Sequence, residues 1–150
     1  MTKREQHFMK LACQIAERST FRDYKLGAIV VYKGKILSSG ANLAKTHPLQ
    51  RKFDHHRLDE RFIPVSTHAE VNAIQKIIKD NDIDWSKCTI YVARVLKNGK
   101  TAMSRPCNSC MQLMKSLGVK NVYYTTDFGV AHEYITQEST GKVCVEKAKA

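Results

Sequence analysis

The chain has 150 residues, 43% hydrophobic and 26% charged, with three prolines and seven glycines; this balance excludes a disordered or fibrous chain, and the length predicts a single domain over residues 1–150. A formal net charge of +11 favours anionic partners such as nucleic acid or nucleotides, although the basic residues are scattered and also suit a merely solvated surface. No apolar run approaches the roughly 18–20 residues of a membrane helix, and MTKREQHFMK lacks the apolar centre of a secretory signal, so a cytoplasmic location without membrane contact is expected.

Phe8, Leu11, Ala12, Ile15 and Ala16 recur at helical spacing and predict an amphipathic helix over residues 3–18. LGAIVVY (26–32) is a buried-strand run, and Lys33-Gly34 can turn it into KILSSGAN (35–42), forming a hairpin. Residues 43–67 show neither period, and so long a loop inside a compact domain is either functional, as a lid or substrate loop, or disordered. Ala69, Ala73, Ile74, Ile77 and Ile78 mark a second helix, CTIYVARVL (88–96) a buried strand, and Asn98-Gly99 a turn. Met111, Leu113, Met114 and Leu117 fit a third helix from Cys107 to Leu117 with Gly118 as its cap, and VKNVYYTT (119–126) is another strand. The tail from Asp127 leaves room for one more short element, a helix or an edge strand. This order argues for an α/β layer with right-handed crossovers between parallel strands.

Five cysteines cannot all pair within one chain, and Cys107 and Cys110 form a CxxC that suits a metal or redox site better than a disulfide framework. Cys13, Cys88 and Cys144 read as packed thiols. In STHAEVNAI (66–74), Thr67 to Glu70 spells T-x-x-E, a capping box at the start of the second helix. SRPCNSCMQLM (104–114) supplies a competing reading, because its CxxC also opens a helix, with Pro106 suited to the first helical position. One imidazole and two thiolates suffice for a catalytic zinc site that keeps one position for water, and His68, Cys107 and Cys110 supply that set. Helix N-termini favour thiolates there, and Glu70 would stand beside the open position without being a ligand. A thioredoxin-like redox pair and a structural zinc site are the rivals; the second would want a fourth protein ligand.

His68-Ala69-Glu70 followed by Pro106-Cys107-Asn108-Ser109-Cys110 matches the H-x-E…P-C-x-x-C pattern of zinc nucleobase deaminases. The chain thus resembles the cytidine and deoxycytidylate deaminase superfamily, closest in look to the deoxycytidylate enzymes. YKLGAIVVYKGKILSSGAN looks like the family's first hairpin, MKSLGVKNVYYTT like the strand after its CxxC helix, and the likeness covers roughly residues 5–128. The resemblance implies a three-layer α/β/α fold with a mixed sheet of about five strands, a Zn2+ cofactor and a homo-oligomer. It further implies hydrolytic deamination with Glu70 carrying the proton, the Ala69 amide on the pyrimidine carbonyl, a carbonyl near Ser104 on the amino group, and Asn42 on the base or sugar. Asn42 reads equally well as a turn residue ending the hairpin.

The expected substrate is a free nucleotide such as deoxycytidylate, with Lys45, Arg51, Lys52 and Arg105 placed to engage a phosphate. The alternative is cytosine or adenine in single-stranded DNA or RNA, with Phe53, Phe62 or Tyr134 holding flanking nucleotides. A binding protein without turnover is a third class. Arg105 departs from the family pattern before the proline, so base identity rests on overall likeness. His47, His55 and His56 raise a second, structural zinc, as in some deoxycytidylate deaminases, although their loop holds no cysteine; otherwise they are exposed histidines.

Overall fold

The computed structural model describes residues 1–21, 23–44, 48–49, 67–135 and 143–147. Most of the expected loop at 43–67 lies outside the described residues, and with it Lys45, His47, Arg51, Lys52, Phe53, His55, His56 and Phe62.

Helix α1 (Lys3–Glu17) starts from a capping box: the Thr2 hydroxyl accepts from the Glu5 amide, and the Glu5 carboxylate accepts from the Thr2 amide. The chain then enters β1 (Lys25–Tyr32) and returns as β2 (Lys35–Ala41) through Lys33 and Gly34, both at positive φ. That two-residue turn matches the natural twist of a hairpin. Helix α2 (Ala69–Gln75) precedes β3 (Cys88–Val95) and the two-residue β4 (Thr101–Ala102). Helix α3 (Asn108–Leu117) ends on Gly118 at φ 97°, and β5 (Asn121–Thr126), β6 (Gly129–Tyr134) and β7 (Val143–Lys147) complete the chain.

All seven strands form one mixed sheet in the order β2-β1-β3-β5-β6-β7, with β4 beside β3. Among the described residues only β3 and β5 are paired in parallel; the other pairings are antiparallel. The α2 crossover joins β2 and β3, which run parallel with β1 between them, and the α3 crossover joins the parallel neighbours β3 and β5, so both crossovers link parallel strands as expected. The tail holds more than one short element, since β6 and β7 pair as two further strands. Helix α2 stops at Gln75; Ile77 and Ile78 pack on the core from the following turns, so their spacing reflects burial rather than helix.

Alternation along the strands divides the core in two. Ile29, Val31, Tyr91 and Ala93 face α1 with Phe8, Met9 and Ala12. Ala28, Val30, Ile90 and Val92 face the opposite layer, with Val71 and Ile74 of α2 and Leu113 and Met114 of α3. The result is the expected three-layer α/β/α architecture. Two glycines set the layer spacing. A Cβ on Gly27 would lie 2.4 Å from the Ala16 nitrogen of α1, and one on Gly40 would lie 2.6 Å from the Ala73 nitrogen of α2. No helix among the described residues is long and apolar enough to cross a membrane.

Candidate metal centre and substrate cavity

The parallel pair β3 and β5 opens a crevice at its carboxyl ends, the place where α/β sheets bind ligands. Two helices begin near it, and their N-caps are His68 for α2 and Cys107 for α3. Neither side chain caps its own helix. They turn toward each other instead.

His68 Nδ1 lies 3.3 Å from Cys110 Sγ and 3.5 Å from Cys107 Sγ, and the three donor atoms fall within 4.8 Å of one another. Zinc bonds of about 2.0–2.1 Å to nitrogen and about 2.3 Å to sulfur, at tetrahedral angles, would separate such donors by about 3.6 Å. The observed edges therefore fit a single zinc ion, and the donor set of one imidazole and two sulfurs suits that metal. Among the described residues this is the one such cluster. Cys107 Sγ also lies 3.1 Å from Ser109 Oγ.

Without a cation the two sulfurs act as one coupled group. Cys107 is pulled down to about 3, first by a hydrogen bond with Cys110 and then against its own burial by His68, while Cys110 is pushed up by the same bond and by burial. A divalent cation bound to both sulfurs would displace the proton of that bond. Glu70, 4% exposed at the second position of α2, is pushed above the ordinary carboxylate range by burial, with His68 opposing.

The capping box expected at Thr67 is not made. Thr67 instead bridges Leu43 through two backbone hydrogen bonds of 2.9 Å, and the helix begins one residue later, which shifts Glu70 from the third to the second position. Pro106 likewise precedes the N-cap of α3 instead of opening the helix, because Cys107 holds extended φ and ψ of −69° and 171°.

A cavity of about 330 Å³ adjoins the centre. His68, Glu70 and Cys107 line it together with Asn42, Ser104 and Arg105, so the sequence-expected site residues converge there, with Ala69 buried between His68 and Glu70. As the first residue of α2, Ala69 has an amide with no carbonyl to bond within the helix. Asn42 is 2% exposed, and its side chain joins β2 to the segment before β1. Its Oδ1 accepts from the Leu26 amide at 2.9 Å and from the Ser19 hydroxyl, and its Nδ2 donates to the Tyr24 carbonyl at 3.0 Å. The Ser104 hydroxyl is engaged with Val92 and Thr125 in the sheet. Arg105 donates through Nε and Nη2 to both oxygens of Glu133 at 2.8 and 2.7 Å, and the Tyr124 hydroxyl donates to the same carboxylate. The expected phosphate-binding side chain is therefore already paired with a residue of β6.

Four wall residues escaped the reading of the sequence, Tyr24, Leu26, Arg94 and Met103, as did Glu133, which stands behind Arg105. Arg94 did leave a signal, being the one charge inside the apolar run CTIYVARVL. Cys13 and Cys88 are free thiols; burial pushes both up, Cys88 to about 11, as expected of packed, unreactive groups. The Cys144 side chain lies outside the description.

A mixed α/β/α sheet thus carries a His/Cys/Cys cluster and a buried glutamate near the carboxyl end of its parallel pair, the residue types of the zinc-deaminase motif. The chain belongs to the family described as cytidine and deoxycytidylate deaminase zinc-binding region, which it matches over residues 2–126. It is 30% identical over 129 residues to the deoxycytidylate deaminase of Homo sapiens, covering 81% of this chain and 64% of that protein. The match thus spans somewhat less than two thirds of the curated relative. The dCMP deaminase of cyanophage S-TIM5, solved with dCMP and dUMP, superposes with a TM-score of 0.59 at 28% identity, covering 84% of each chain. The cytidine deaminase of Burkholderia pseudomallei shares the fold at 17% identity and a TM-score of 0.56, over 96% of this chain and 92% of that one.

Proposed function

We propose that the chain is a zinc-dependent hydrolase that deaminates the cytosine base of a free nucleotide, dCMP to dUMP or a related cytidine nucleotide or nucleoside. The observation that carries this reading is the buried Glu70 carboxyl in the same cavity wall as His68 and Cys107, which form the donor cluster with the buried Cys110 behind them. The deoxycytidylate deaminases among its relatives support the choice of base and of a monomeric substrate.

In this reading His68, Cys107 and Cys110 hold zinc, which supplies a Lewis acid that lowers the pKa of water toward neutrality. Glu70 accepts a proton from the attacking water and delivers it to the ring nitrogen beside C4. A C4–O bond forms; Glu70 then takes the proton of that new hydroxyl and passes it to the amino group, the C4–N bond breaks, ammonia leaves and the C4 carbonyl of uracil remains. The raised pKa of Glu70 suits a group that must both take and give a proton near neutral pH. The Ala69 amide faces the role of donor to the pyrimidine carbonyl. The backbone near Ser104 is assigned to the amino group, and Asn42 to the base or sugar.

A second reading, deamination within single-stranded nucleic acid, is favoured by the +11 charge and by Phe128, 80% exposed at the turn after the carboxyl end of β5. Assembly into a homo-oligomer belongs to the proposal and agrees with the apolar Ile36 and Leu37 left exposed on the edge strand β2.

The test is uracil formation from deoxycytidine, cytidine, their monophosphates and single-stranded oligonucleotides. Turnover of oligonucleotides alone would establish the second reading and remove the first. Glu70→Gln should retain zinc and lose about 10²–10⁴-fold in kcat; full activity in that variant would remove Glu70 from the mechanism.

A further inference from the structure

Arg94 is a cavity-wall side chain that neither the metal cluster nor the proposed proton transfer uses. It shares the strand parity of Ile90 and Val92, and so lies on the α2 and α3 side of the sheet, one residue from the carboxyl end of β3. Its guanidinium carbon lies 5.6 Å from the centre of the Tyr24 ring, and Tyr24 lines the same cavity. That contact orients a guanidinium without satisfying any of its N–H groups.

The Arg94 Nε is buried and has no hydrogen-bond partner among the described residues. A buried donor left unpaired costs free energy, so such groups are normally matched by protein, water or ligand. Among the described residues no carboxylate pairs with Arg94, whereas Arg105 in the same wall is held at two nitrogens by Glu133. The two arginines thus divide their work. Arg105 braces the segment leading to Cys107, and Arg94 keeps its donors for something that enters the cavity.

We propose that Arg94 forms an anion subsite that receives a phosphate oxygen of a nucleoside monophosphate while the base lies against Glu70 and the metal cluster. The inference rests on the deaminase reading of this cavity and names its substrate class. A guanidinium offers a phosphate a forked pair of donors, and Nε with its neighbouring Nη is one such fork. A site whose buried donor is unpaired in the absence of the anion also discriminates against the nucleoside, which leaves that donor unsatisfied. Selectivity for the phosphorylated substrate then follows from what the nucleoside cannot offer as well as from what the nucleotide gains.

The test compares zinc-loaded wild type, Arg94→Gln and Arg94→Lys for kcat/KM on dCMP and deoxycytidine, and for calorimetric binding of dUMP and deoxyuridine. Arg94→Gln should reduce the preference for monophosphate over nucleoside by about 10- to 100-fold, mainly by raising KM for dCMP. Arg94→Lys, which keeps the charge without the fork, should retain part of it. An unchanged preference, or equal losses on both substrates, overturns the assignment. If wild type turns over neither monomer, the deaminase reading of the preceding section fails, and the titrations decide Arg94 by themselves. A wild-type preference for dUMP that Arg94→Gln abolishes upholds the subsite, and the absence of any such preference removes it. Should Arg94→Gln fail to fold, Arg94→Lys carries the same comparison.

Discussion

Glu133→Gln should loosen the metal centre from a distance. Glu133 is 1% exposed on β6 and accepts two hydrogen bonds from Arg105 and one from the Tyr124 hydroxyl. Glutamine keeps the volume but removes the charge, and its one carbonyl oxygen cannot match both donor-only nitrogens of Arg105 as the carboxylate does, while its N–H can be met only by a Tyr124 hydroxyl turned to accept. Breaking a buried ion pair by removing one partner costs about 3–5 kcal/mol when the survivor stays buried. The Arg105 side chain is 43% exposed and can turn to water, so the expected cost falls nearer the ~1.5–3 kcal/mol of a charge-assisted hydrogen bond. A loss of about 2 kcal/mol corresponds to about 4–8 °C in Tm for a chain of this size. Arg105 stands two residues before Cys107, so its release should also weaken zinc binding by about 10-fold, the scale seen when outer partners of metal ligands are removed. Thermal unfolding and zinc competition against a chromophoric chelator read the two effects. A Tm within about 1 °C of wild type together with unchanged zinc affinity would refute the bracing role of Glu133.

Gly40→Ala should destabilise by about 1–3 kcal/mol in urea unfolding, since its Cβ would meet the backbone nitrogen of Ala73 at 2.6 Å and neither strand nor helix can yield without moving His68 and Glu70; wild-type stability and activity would show that α2 does not rest on β2 as described. The raised pKa of Glu70 fixes a sign for pH dependence in the metal-free protein. Its contribution to stability is fully present below the unfolded value, near 4.5, and is lost as pH rises through the folded value. Glu70→Gln should therefore gain stability relative to wild type as pH rises from about 4 to neutrality, and a constant difference across that range would mean that the carboxyl is solvated.

The elements legible in the sequence were those whose signal is local. The runs LGAIVVY and CTIYVARVL are buried on both faces, and Lys33-Gly34 and Gly118 occupy conformations with positive φ that few residues adopt. The two cysteines proposed as ligands were legible for a related reason, because a CxxC at a helix start brings both sulfurs to one point. What stayed hidden depends on partners far along the chain. Strand β6 reads GVAHEY, and its Glu133 looks like a surface residue until Arg105, 28 positions earlier, is seen to neutralise it. Strand β4 is two residues long and exists only by pairing with Arg94 and Val95. The T-x-x-E pattern at Thr67 misled by one residue, because the first bond of α2 runs from the Asn72 amide to the His68 carbonyl and makes His68 the N-cap, whereas Thr2 is itself the N-cap of α1 and forms its box.

Metal content and coordination of the purified chain test the central claim most directly. Elemental analysis combined with zinc-edge X-ray absorption should find about one zinc per chain, with two sulfur neighbours at about 2.3 Å and the remainder nitrogen or oxygen at about 2.0–2.1 Å. A protein that holds no zinc after purification in zinc-containing medium, or that binds it equally well when Cys107 and Cys110 are both replaced by serine, would contradict the account.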